Sequence, residues 1–157
     1  MNVRARFARR LIAATVGFAL LVPGATAGAA VTTLETALTG AAEVPDAGDP
    51  DGSGAAQIRI DVKKEKVCFA IVVLDLTLPA TAAHIHTGAA GVAGDIVVTL
   101  APPQEVAGTG IGLATGCAKD QSKPLLRDIK NNPDQYYVNV HTSDFPGGAA
   151  RGQLSVV

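Results

Sequence analysis

The chain contains no tryptophan, one methionine, two tyrosines and four phenylalanines. So few aromatic rings exclude the stacking platforms on which single-stranded nucleic acids are held. Lysine and arginine number 13 against 14 aspartates and glutamates. Four of the cations (Arg4, Arg6, Arg9 and Arg10) stand at the extreme N-terminus, and without them 9 basic residues face 14 acidic ones, a net charge near −5. That balance offers no electrostatic footprint to nucleic acid or to an anionic membrane surface. Long apolar runs are scarce too. Leu11 to Val22 is uncharged, but it is shorter than the roughly 20 residues of a membrane span, and no second hydrophobic segment follows as a candidate span.

Residues 1–30 read as a cleaved signal peptide. The arginines form a positive n-region, Leu11 to Val22 the apolar core, and Ala25-Thr26-Ala27 or Ala27-Gly28-Ala29 a small-residue cleavage site. Arg9-Arg10 is preceded by Ala8 rather than by the polar residue of a twin-arginine signal, which points to general secretion. No cysteine stands at the cleavage point for lipid attachment. The expectation is a soluble domain over 31–157, secreted or extracytoplasmic, in the periplasm or cell envelope. About 130 residues is the size of one domain.

Cysteines number two, Cys68 and Cys117, both in strand-like segments. An even pair in an exported chain suggests a disulfide. Closing a loop of roughly 50 residues contributes about 4 kcal/mol in the chain-entropy model. There is no Cys-x-x-Cys, and no basic neighbour to hold a thiolate, so the bond reads as structural rather than reactive.

From Val31 onward short strands alternate with turns. Thr32 to Thr39 stops at Gly40, and an Asp-, Gly- and Pro-rich loop covers 46–54. Ala56 to Val62 alternates apolar and polar residues, the mark of a half-buried strand. Lys63 to Lys66 makes a turn, and Val67 to Leu76 is a near-continuous apolar run expected to be buried in a sandwich. Further strands are predicted over Ala82–Thr87, Asp95–Leu100, Ile111–Lys119, Tyr136–Thr142 and Arg151–Val156. Only Lys123 to Asn131 has helical spacing, with Leu125, Leu126 and Ile129 on one side and Asn132-Pro133 as the stop. About eight strands with frequent turns predict an all-β fold: an antiparallel Greek-key β-sandwich or barrel with one short helix.

Histidine, with three residues, carries the chemistry. His84 and His86 flank Ile85 on a predicted strand, so they share a face, about 6–7 Å apart along the chain, while Ile85 enters the core. His141 closes another strand, Tyr-Tyr-Val-Asn-Val-His. Three strand-borne imidazoles with an open fourth position suit one copper or zinc ion. The plainer reading is structural: His84 and His86 bonded to the backbone of the following Gly88–Gly94 loop, and His141 to Asp144. That loop, with Gly88, Gly91 and Gly94 at three-residue steps, either folds over the histidines or is an ordinary strand connection. Arg151 either guides an anion to the site or makes structural bonds across the strand turn.

Other chemistries find no constellation. His141, Ser143 and Asp144 are adjacent but not in relay order, and no Gly-x-Ser-x-Gly elbow exists. No pair of carboxylates is set for glycoside hydrolysis. Asp46, Asp49 and Asp51 lack the distal glutamate of a calcium loop and read as a solvated acidic loop. Gly108, Gly110 and Gly112 are followed by no helix, which excludes a dinucleotide fingerprint.

The block Ala83-His84-Ile85-His86-Thr87-Gly88 resembles the CHRD domain, found in the animal signalling antagonist chordin and in many secreted microbial proteins. So does the ending Tyr136-Tyr137-Val138-Asn139-Val140-His141-Thr142, Phe145-Pro146-Gly147-Gly148 and Arg151-Gly152-Gln153-Leu154. Leu38 to Pro45 and Asp51 to Ala55 resemble its opening, so the likeness spans roughly residues 34–157. It implies an extracellular β-sandwich or barrel of immunoglobulin-like character, with a biochemical role largely unassigned in microbes. A second likeness is to the copper–zinc superoxide dismutases, which also carry a His-x-His, a later histidine and an arginine near copper. His84, His86, His141 and Arg151 follow that order, but no fourth histidine remains for copper and no zinc site accompanies it.

The sequence therefore predicts a secreted extracellular binding module with a candidate three-histidine metal site (His84, His86, His141), Arg151 behind it and a Cys68–Cys117 disulfide. The alternatives are a copper-dependent dismutase-like enzyme and a purely structural or adhesive envelope domain without metal. Its partner would be an extracellular or cell-envelope protein.

Overall fold

The computed structural model describes residues 31–157, and the assigned leader at 1–30 lies outside them. The domain is one antiparallel sheet of ten strands, curled into a half-barrel. Its strands are β1 (Thr32–Thr39), β2 (Ser53–Asp61), β3 (Lys66–Leu74), β4 (Ala82–Thr87), β5 (Ile96–Leu100), β6 (Gln104–Glu105), β7 (Gly112–Ala118), β8 (Tyr136–His141), β9 (Ala150–Gln153) and β10 (Ser155–Val156), with the helix α1 (Lys123–Asn131) between β7 and β8. Nine strands run in the order β5-β4-β8-β9-β1-β2-β3-β7-β6, and β10 pairs with β1. The curl brings β5 close to β7. The predicted all-β, antiparallel barrel type with one short helix is what is found. No helix among the described residues is long and apolar enough to cross a membrane.

Period-two alternation sorts the side chains. Leu34 and Leu38 of β1, Ile58 and Ile60 of β2, Val67, Ile71 and Val73 of β3, Ile85 of β4 and Val138 and Val140 of β8 are all at most 1% exposed and form the inner core. α1 closes this core with Leu126 and Ile129, both fully buried. It starts where Ser122 accepts a hydrogen bond from the Leu125 amide and where Pro124 needs no amide partner.

One expectation is overturned. The apolar run of β3 is not buried on both faces: Val72 and Leu74 are 36% and 41% exposed. A single curled sheet has one packed concave side, and among the described residues nothing covers its outer side at β1, β2, β3 and β7. The run Arg151 to Val156 is also divided at Leu154, whose side chain turns into the core.

Candidate metal centre

The histidines sit on the outer face, at the β4–β8–β9 end of the sheet. Register places His84 opposite Asn139 and His86 opposite Tyr137 across β4 and β8, with His141 opposite Ala82. Asn139 in turn faces Arg151, and Tyr137 faces Gln153, across β8 and β9. Directly opposed residues share a face, so these side chains stand together while Ile85, Val138 and Val140 enter the core. One ring nitrogen from each of the three histidines can be chosen so that all lie within 4.8 Å of one another. Among the described residues this is the cluster of metal-binding side chains, and Asp46, Asp49 and Asp51 are not part of it. Asp49 nonetheless departs from the solvated reading of its loop, being only 8% exposed, with its amide bonded to the Ala149 carbonyl.

Two backbone carbonyls orient the rings. His141 Nδ1 lies 3.0 Å from the Pro146 oxygen and His86 Nδ1 lies 2.9 Å from the Gly94 oxygen. A carbonyl only accepts, so each Nδ1 donates; this leaves the lone pair of His86 Nε2 for the site, whereas His141 Nε2 faces a second oxygen, that of the Asn139 carboxamide. His86 Nε2 is buried and has no hydrogen-bond partner among the described residues. His141 Nε2 stands 3.2 Å from His84 Nδ1 and 3.1 Å from Asn139 Oδ1. Two nitrogens bound to one metal at 2.0–2.1 Å with a tetrahedral angle lie roughly 3.3 Å apart, so the His84–His141 pair already has that separation.

The structural and ligand readings of the histidines are thus not exclusive, because each reading uses a different nitrogen. His86 does hold the Gly88–Gly94 loop. His141 bonds the Pro146 carbonyl rather than Asp144, whose carboxylate takes the Thr77 hydroxyl. Burial pushes the His84 pKa down to about 4, helped by the neighbouring His141 and His86. Burial also lowers that of His141, against the effect of the Pro146 carbonyl. Both rings are therefore neutral near pH 7, the form that ligates metal.

Arg151 is held under the loop by one nitrogen, while its other terminal nitrogen, Nη1, is buried and has no hydrogen-bond partner among the described residues. It is 1% exposed, and its Nη2 donates to the carbonyls of Ala89 at 3.0 Å and Val92 at 2.9 Å. Its guanidinium carbon lies 3.3 Å from the Tyr137 ring centroid, and Tyr137 stacks on His86 at 4.8 Å and 11°. A cation–π contact and a ring stack therefore support His86 from beneath. The same arginine clamps the loop whose Gly94 carbonyl orients His86, and the Tyr137 hydroxyl accepts from the Gly94 amide. That loop folds against the histidines, the first of its two readings. Gly94 is required there, since a Cβ would fall 1.8 Å from the Thr87 carbonyl oxygen.

Sequence reasoning missed three participants: Asn139, Tyr137 and Glu43. The first two share the period-two face of β8 with His141, and that spacing was available as a signal. Glu43 had none, because only folding brings it to Arg151. It is 6% exposed, with its Oε1 unpartnered, and burial pushes its pKa up to about 7 against the pull of Arg151. Cys68 and Cys117 form the expected disulfide, on the outer face far along the sheet from the histidines.

No curated protein and no solved structure matches this chain. The model of the CHRD domain matches residues 34–154, nearly all of the described fold and every residue of the histidine site, and on that match the chain belongs to the CHRD domain family.

Proposed function

We propose that this CHRD domain is an exported, non-catalytic binding module that holds one transition-metal ion, copper or zinc, on His84, His86 and His141. The observation that carries the reading is His86: its Nε2 is buried without a partner while its Nδ1 is fixed by the Gly94 carbonyl. A buried polar atom left unpaired costs about 1–3 kcal/mol, and a metal bond removes that cost. Neutral imidazoles suit zinc and copper alike, and raw affinity favours copper. The positive n-region with its apolar core, together with the disulfide, supports export. Export also makes an extracellular or envelope protein the natural partner.

Binding without turnover is favoured over a dismutase by Arg151. Superoxide is an anion, and the one arginine of the site is buried under the loop carbonyls. The test is a copper(II) and zinc(II) titration of the disulfide-intact protein beside His86→Ala. Stoichiometric uptake with nitrogen hyperfine structure, lost in the variant, supports the reading. Equal uptake by both proteins, or none, overturns it. A superoxide assay of the copper-loaded protein should stay at the free-ion rate, and a rate far above that makes it an enzyme.

A further inference from the structure

The disulfide lies where the sequence does not show it to be: exposed, and among cations. Cys68 and Cys117 are direct partners in the β3–β7 ladder. That ladder pairs seven positions, from Val67↔Ala118 to Val73↔Gly112, and the inward Val67, Ile71 and Val73 are fully buried. The strands are thus joined by hydrogen bonds and packing independently of the sulfurs. Cys117 is exposed and Cys68 partly so.

Three cations stand close to the bond in register or sequence, Arg59 and Lys66 on its own outer face. Arg59 is the direct cross-strand partner of Cys68. Lys66 precedes Cys68 by two residues, and the exposed Lys119 follows Cys117 by two. A cleft of about 170 Å³ opens here, lined by Val31, Arg59, Asp61, Lys64, Lys66 and Cys68. Of the nearby carboxylates, Asp61 meets Lys64 at 4.0 Å and Glu65 meets Lys123 at 3.2 Å. Among the described residues, Arg59, Lys66 and Lys119 have no carboxylate within 4.0 Å, though Asp61 stands opposite Lys66 in the ladder. Neighbouring cations stabilise thiolates, and exposed disulfides are the exchangeable ones. The expectation of no basic neighbour is wrong on both counts: Lys66 and Lys119 stand two residues away along the chain, and register adds Arg59.

We propose that Cys68–Cys117 is an exchange site for small anionic thiols of the glutathione class. The incoming thiolate attacks Sγ of the exposed Cys117, forming a mixed disulfide. The Cys68–Cys117 bond breaks, and its electron pair leaves on Sγ of Cys68 as a thiolate beside Arg59 and Lys66. A second external thiolate attacks the external sulfur of the mixed disulfide and releases the Cys117 thiolate near Lys119. Two thiols are oxidised to one disulfide, the protein disulfide gains two electrons, and the two protons pass to the protein thiols. None of the groups involved belongs to the histidine site, so this inference stands or falls independently of metal binding.

The experiment is reduction of the native protein, without denaturant, by glutathione and by the cationic thiol cysteamine, followed by alkylation and mass measurement. Rates should be first order in thiol. After correction for thiolate fraction, glutathione should react about tenfold faster than cysteamine at low salt, and the ratio should collapse toward one at about 1 M salt. Lys66→Gln, and separately the exposed Lys119→Gln, should each slow glutathione by about threefold with unchanged far-UV circular dichroism. A rate independent of thiol concentration would mean opening only through global unfolding and would overturn the proposal. Equal rates for the two thiols at low salt, or loss of the β signal on reduction, would overturn it as well.

Discussion

Replacing His86 by alanine separates a ligand from a strut, because the structure sets two opposed terms against each other. The variant loses the Nδ1 hydrogen bond to Gly94, worth about 1 kcal/mol, and the stack on Tyr137, worth about 0.5–1.5 kcal/mol. It also removes the unpartnered Nε2, which costs the metal-free protein about 1–3 kcal/mol. The terms nearly cancel, so metal-free wild type and variant should agree in unfolding free energy to within about 1 kcal/mol. Metal breaks the symmetry. At a free concentration of 100 times Kd, wild type should gain about 2.7 kcal/mol and the variant nothing. Urea unfolding followed by far-UV circular dichroism, with and without zinc(II), reads both numbers. A metal-free loss above about 3 kcal/mol with no zinc-dependent gain in wild type would show that the imidazole is a packing element, and the reasoning fails.

Arg151→Lys keeps the charge but loses the two Nη2 bonds to the Ala89 and Val92 carbonyls and the planar stack on Tyr137. It should cost about 2 kcal/mol in urea unfolding and weaken metal binding about tenfold. Gly94→Ala, forced against the Thr87 carbonyl, should destabilise by at least about 2 kcal/mol more than Gly91→Ala. Gly91 has φ +79 but open space around its Cβ position, so its alanine carries only the left-handed cost of about 1 kcal/mol. Stability should depend on pH through two opposed groups. His84 has a folded pKa near 4, below its ordinary 6.5, so its contribution is complete above pH 6.5 and is lost as pH falls through 4. Glu43, raised to about 7 from 4.5, contributes fully below pH 4.5 and loses that contribution as pH rises through 7. Urea midpoints measured across pH 4–8 should therefore lose their alkaline decline in Glu43→Gln and keep their acid decline.

Much of this protein is written in local pattern. The helix Lys123–Asn131 and the strand Ala82–Thr87 have in the structure the bounds that spacing predicts, because a capped amphipathic turn and a β-branched stretch between turn residues are decided by near neighbours. The shared face of His84 and His86 follows from the same two-residue period. That His141 reaches them does not, since strand pairing across 57 residues depends on which hydrophobic faces meet in three dimensions. The one-sided exposure of β3 was hidden for a related reason: an apolar run looks the same whether a second layer covers it or not. Glu43, distant along the chain, comes to Arg151 only by folding, and Arg59 comes to Cys68 only by register. Composition and periodicity dictated an antiparallel β domain with three imidazoles on strands. Long-range pairing dictated which nitrogens face one another, which arginine is buried beneath them and that Arg59 stands beside Cys68, because electrostatics and burial act through space rather than along the chain.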